Sequence, residues 1–122
     1  SEPDVKLAGT DIVLTVDEVK HLSEIIEEVN SRTGKDYDSD AMTKVMLQIK
    51  DLLLRSDELK TAAINNTEQD FEFSFYDNTD DVLIQGLAQN QDFFSQLLNN
   101  DDIKRQVLGV FLHEIYQKLR EE

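Results

Sequence analysis

The sequence predicts an all-α fold: an irregular bundle of about five to six helices with one extended aromatic connector. Three observations carry this. Apolar residues recur at three- and four-residue spacing through most of the chain, the period of one face of a helix. Ser, Thr, Asp or Asn stands just before those stripes, where a side-chain oxygen can accept from the free N–H groups of a first turn. One proline and four glycines among 122 residues leave few breaks in such a pattern. That length fits one domain, able to bury roughly two-thirds of the surface its unfolded chain exposes.

Residues Ser1 to Gly9 are read as a flexible lead-in and Asp11 to Leu14 as a short extended stretch. Residues 1–14 are thus a linker from an upstream domain, and 15–122 the helical domain. Thr15 and Glu18 form a T-x-x-E capping box, with Leu14 and Val19 at the staple positions around it. The first stripe follows: Val19, Leu22, Ile25, Ile26 and Val29, with Gly34 as the stop. A second helix from about Asp40 to Leu54 carries Met42, Val45, Met46, Ile49, Leu52 and Leu53, capped by Asp38 or Ser39. Ser56 caps a short third helix with Leu59, Ala62 and Ala63, which Asn65-Asn66-Thr67 ends.

Phe71-Glu72-Phe73-Ser74-Phe75-Tyr76 then alternates with period two, a strand signal. A lone strand has no partner, so this segment is expected as an extended connector, or a distorted helix, whose rings Phe71, Phe73 and Phe75 plug the core; the alternative is an exposed aromatic docking strip. Asn78 or Thr79 caps the next helix, which carries Val82, Leu83 and Leu87. Asn90 opens a short one with Phe93, Phe94, Leu97 and Leu98. Asn100 or Asp101 caps a single last helix running through Ile103, Val107, Leu108, Phe111, Leu112, Ile115, Tyr116 and Leu119. It is apolar on more than one side, which predicts a central position.

Composition excludes several function classes. Without cysteine there is no disulfide, zinc-thiolate site, iron–sulfur cluster or thiol nucleophile. No apolar run exceeds three residues, too short to span a bilayer. No charged-then-apolar leader opens the chain, so the expectation is a cytoplasmic protein. Ser1 in first place suggests a piece cut from a longer protein, or a chain whose tag was removed.

The net charge is −14, from 12 basic and 26 acidic residues. Nucleic acids and anionic membranes repel such a surface, because affinity for them comes from Lys and Arg. The charge is also uneven. From Thr61 to Ile103 there is no Lys or Arg, yet Glu68, Asp70, Glu72, Asp77, Asp80, Asp81, Asp92, Asp101 and Asp102 all fall there. This stretch is either a solvated face or a docking surface for a basic partner. The docking candidates are Asp77, Asp80, Asp81, Asp92, Asp101 and Asp102.

No catalytic, cofactor-binding or metal-ligating set emerges. There is no phosphate-cradling Gly-x-x-x-x-Gly-Lys-Ser/Thr loop. His113-Glu114 begins like a zincin helix, but Gln117 stands where the second histidine belongs. Asp36, Asp38 and Asp40 start like a calcium loop, but Ala41 replaces the turn glycine and Leu47 the bidentate glutamate. Pro3-Asp4 with Glu18-Val19-Lys20 matches the Pro-Asp…Glu-x-Lys pattern of metal-dependent nucleases. Glu18 is committed to the capping box, however, and Lys20 sits on a helix rather than on a rigid strand pair.

The order of the punctuation marks carries a resemblance. An apolar helix ends in Asn30-Ser31-Arg32-Thr33-Gly34-Lys35-Asp36-Tyr37. Asn66-Thr67-Glu68-Gln69-Asp70-Phe71 comes next, then Asn90-Gln91-Asp92-Phe93-Phe94 with Leu97-Leu98-Asn99-Asn100. Glu114-Ile115-Tyr116-Gln117-Lys118-Leu119-Arg120 closes the chain. From about Thr15 to Arg120 this resembles the C-terminal helical region of the R subunit, the motor and nuclease subunit, of type I restriction-modification enzymes. The resemblance implies a non-catalytic assembly module. It would dock the ATP-dependent translocase onto a methyltransferase core of modification and specificity subunits, with the nuclease and motor domains upstream in the same chain. No family nuclease or ATPase motif occurs here, so no catalytic residue carries over, and neither cofactor nor direct nucleic-acid binding is expected. The rival expectation is a free acidic protein that imitates DNA and blocks a DNA-binding enzyme.

Overall fold

A computed structural model describes residues 4–88 and 90–121. They form a small hairpin, β1 (Val5–Lys6) and β2 (Val13–Leu14), and eight helices: α1 (Val16–Thr33), α2 (Ser39–Leu54), α3 (Asp57–Asn65), α4 (Glu68–Asn78), α5 (Asp80–Gly86), α6 (Gln91–Asn99), α7 (Asp101–Gly109) and α8 (Leu112–Leu119). The all-α class holds, with more helices than expected. No described helix is long and apolar enough to cross a membrane. The chain divides into two units, Ser1–Gln48 and Ile49–Glu122.

In the first unit, part of the expected lead-in is ordered. Val5 pairs with Leu14 and Lys6 with Val13, antiparallel. Gly9 (φ 80°) supplies the left-handed residue of the connecting turn. Leu7 N–H donates to Ile12 O at 2.9 Å and Thr10 N–H to Leu7 O at 3.1 Å. The pairing orders a segment whose sequence showed only its second half as extended; Ser1 to Pro3, and with Pro3 half of the Pro-Asp pair, lie outside the described residues. The α1 cap is the expected box: Glu18 N–H donates to Thr15 Oγ1 at 3.2 Å, and Thr15 N–H to Glu18 Oε1 at 2.9 Å. Gly34 (φ 73°) ends α1, its N–H on Asn30 O. Asn30 also holds the following loop, accepting from Tyr37 N–H at 2.8 Å and donating to Tyr37 O at 3.0 Å. Asp38 Oδ2 then accepts from Ala41 N–H at 2.9 Å and caps α2.

In the second unit, the aromatic run is helical, which corrects the extended connector. Thr67 caps α4 through Asp70 N–H. Its four-residue spacing puts Phe71 and Phe75 on one buried face, both 0% exposed, while Phe73 points the other way at 71%. Helical backbone pairing satisfies this segment's N–H and C=O groups internally, which an unpartnered strand could not do. The expected long last helix is two. After Gly109, Val110 N–H and Phe111 N–H turn to the carbonyls three residues back, Val107 O at 3.2 Å and Leu108 O at 3.0 Å. This tightened turn breaks the α ladder, and α8 restarts from the Phe111 carbonyl.

Consecutive helices from α3 to α8 pack on one another, and α8 returns against α3 and α4. It closes the C-terminal end of α3, where carbonyls lack helical partners. Tyr116 Oη donates to Asn66 O at 2.7 Å and Arg120 Nη1 to Ala63 O at 2.6 Å. The Tyr116 ring lies 5.2 Å from that of Phe71. Lys50 is fully buried, its Nζ 2.7 Å from Glu114 Oε1. No buried side-chain nitrogen or oxygen among the described residues lacks a hydrogen-bond partner.

Candidate docking surface

The acidic residues of the basic-free stretch sit on four consecutive helices because most of them are also first-turn residues. Asp80 and Asp81 open α5, Asp92 opens α6, and Asp101 and Asp102 open α7. There the positive end of the helix dipole favours a carboxylate. Asn90 and Asn100 cap α6 and α7 as expected, accepting from Phe93 N–H and Ile103 N–H at 3.2 Å each. Thr79 makes no such cap; its hydroxyl donates to Tyr76 O at 3.2 Å.

The six candidates do not form one uniform set. Lys104, just beyond the stretch and 8% exposed, gathers two of them, with Asp80 Oδ1 at 3.1 Å and Asp101 Oδ1 at 3.9 Å. Both side chains keep contact with solvent, Asp80 at 50% and Asp101 at 85% exposed, so Lys104 offsets part of their charge at the surface. Asp77, Asp81, Asp92 and Asp102 are exposed, and Asp102 also accepts from Gln106 Nε2 at 3.1 Å. Asp77 stands apart, near the C-terminal end of α4, where the dipole disfavours an acid. Its position owes nothing to helix capping.

Three features differ from the sequence expectation or add to it. Phe73 is exposed, with Asp70 and Asp77 as its helical neighbours; the signal was there in the i, i+4 pair Phe71 and Phe75, which leaves Phe73 off that face. Lys104 compensates Asp80 across 24 residues, and no local pattern announces such a pairing. A groove of about 480 Å³ lies between the end of α2, the start of α3 and the α4–α5 corner. Leu52 and Val82 contribute apolar lining, and Arg55, Asp57, Glu58 and Asp81 line it with charge. Arg55 is engaged there by Asp51 at 3.4 Å.

The other candidates separate. Glu18 is locked in its capping box and Lys20 is exposed on α1. Asp38 is the α2 cap rather than the centre of a calcium loop. His113 is exposed, with Nδ1 2.9 Å from Glu68 Oε1. Among the described residues no three His, Cys, Asp or Glu side chains converge as a metal-holding group. The phenol of Tyr76 is raised above its ordinary 10.0, first by burial, then by Glu72, with Arg105 opposing. The Arg105 guanidinium lies 4.6 Å from the Tyr76 ring centre.

No family model, curated protein or solved structure matches the chain.

Proposed function

We propose that this chain is a non-catalytic docking module that binds a cationic protein surface through the face carried by α4 to α7. One observation carries the proposal: over residues 61–103 the chain has no Lys or Arg, while Asp77, Asp81, Asp92 and Asp102 face solvent. Complementary charge of this kind steers and orients encounter. The resemblance to type I restriction R subunits makes the modification–specificity core the partner, with the module fastening a DNA-translocating motor to it in the cytoplasm.

The experiment is co-elution of this chain with the purified modification–specificity core of its source. The expected result is a complex that weakens as NaCl rises, because exposed charges are screened over about 8 Å near physiological ionic strength. Replacing Asp77, Asp81, Asp92 and Asp102 together by Asn should slow association more than it speeds dissociation. A folded variant that associates at the parent rate in low salt would overturn the charge argument. Displacement of the chain from the core by duplex DNA would favour the DNA mimic instead.

A further inference from the structure

We infer that Phe73 is the anchor of this docking face and that its occupant is an arginine-bearing segment of the protein partner; this deepens the docking reading above and rests on it. Ile64, Phe73 and Ile84 are the large hydrophobic residues left exposed among the described residues, at 51%, 71% and 54%. All three fall inside the stretch that has no Lys or Arg. Single exposed apolar side chains are ordinary on a protein surface. Here the apolar exposure and a run of exposed carboxylates coincide in one segment, and Phe73 is the most exposed of the three. Protein interfaces combine such elements, an aromatic anchor within a charged rim.

Charge complementarity identifies the occupant. In helical geometry Asp70 and Asp77 are the surface neighbours of Phe73 three residues before and four after it, and both are exposed. A group that covers the ring must therefore tolerate carboxylates on both sides. Phosphate backbones and anionic lipid do not, and a second copy of a chain with net charge −14 would bring like charge against like. A guanidinium meets both demands, since it stacks flat on an aromatic face, sheds water readily and forks onto carboxylates. This chain already brings guanidinium groups to aromatic rings internally: Arg105 lies 4.6 Å from the Tyr76 ring centre and Arg120 5.2 Å from that of Tyr116.

The test uses the whole chain and two short synthetic peptides of identical spacing, one bearing arginine and the other lysine, at about physiological salt. The parent chain should bind the arginine peptide more tightly. Phe73→Ala should keep the parent melting temperature, lose about three- to fivefold in affinity for the arginine peptide, as an exposed cation–π contact is worth, and erase the preference over lysine. Phe73→Trp should restore or strengthen the preference, because indole is the better platform. Equal binding of both peptides by parent and Phe73→Ala overturns the anchor. If the four-Asn variant still loses association with the core in that case, docking by charge stands without it. A lowered melting temperature in Phe73→Ala would place the ring in the core and overturn the inference as well.

Discussion

Lys50 is 0% exposed, an unusual place for an ammonium, since taking a charge out of water costs several kcal/mol. Glu114 Oε1 lies 2.7 Å from its Nζ, and the other oxygen, Oε2, is 3.2 Å from Lys118 Nζ near the surface. The two ends of this pair are not equivalent. Lys50→Met removes the buried charge, while Glu114, whose side chain is 27% exposed, keeps its contact with Lys118. Glu114→Ala leaves the buried ammonium without that carboxylate, the kind of change that costs about 3–5 kcal/mol. Urea denaturation should therefore show Glu114→Ala far weaker than Lys50→Met, with the double variant close to Lys50→Met; equal losses would refute the asymmetry. Tyr76 supplies a pH dependence of definite sign. Its phenol is raised above 10.0 in the folded state, so the fold holds more protons than the unfolded chain in alkali. The stability this contributes is complete below about pH 10 and is lost as pH climbs through the folded value. Tyr76→Phe should flatten the alkaline limb of a melting-temperature profile; a limb of unchanged steepness relative to parent would show that other groups set it.

At the scale of elements, α5 and α6 lean together through Gly86, whose added Cβ would run into the Phe94 ring. Phe94 is 2% exposed and has no free direction to yield. Gly86→Ala gains helix propensity, about 1 kcal/mol at most, against overpacking of about 1–3 kcal/mol. The expected outcome is a net loss of stability by chemical denaturation, and a stabilised variant would show that α6 can shift. Nothing but the distant ring makes this glycine special, so no local pattern revealed it. Element starts were legible for the opposite reason: the Thr15–Glu18 box and the Ser56, Asn90 and Asn100 caps are hydrogen bonds across three residues, entirely contained in the local sequence. The aromatic run misled because six residues satisfy period two and the Phe71–Phe75 helical spacing alike, and only the cap at Thr67 separates them. The last stripe misled differently. Val107, Leu108, Phe111 and Leu112 keep helical spacing across Gly109, so hydrophobic pattern alone does not mark the turn where the hydrogen bonds shorten. Of the candidate surface, the acids were legible as a stretch without cations. The pairing of Asp80 with Lys104 depends on α7 reaching back to α5, which composition does not encode.

For the whole molecule, a net charge of −14 sets two salt effects of opposite sign. Exposed pairs such as Lys6–Asp11 at 3.7 Å and Arg32–Glu28 at 3.9 Å are worth about 0–1 kcal/mol each and weaken in salt. Repulsion among the excess carboxylates reaches about 30 Å at 10 mM salt but only about 8 Å at physiological ionic strength, and its relief favours the folded state. With 26 acidic residues against 12 basic, the repulsive sum exceeds the attractive one, so it wins. The melting temperature should rise by a few degrees, roughly 1 kcal/mol, between those conditions, while association with a cationic partner falls. A melting temperature that drops with salt would show that attraction dominates. Asp77 separates the two effects in one side chain. It stands near the negative end of the α4 dipole and inside an acidic stretch, so Asp77→Asn removes two unfavourable interactions and should stabilise the fold by a few tenths of a kcal/mol. The same substitution takes a carboxylate from beside Phe73 and should slow docking. A variant that melts higher and binds more slowly cannot owe its binding defect to unfolding. One that melts higher and binds at the parent rate would move the docking face away from α4.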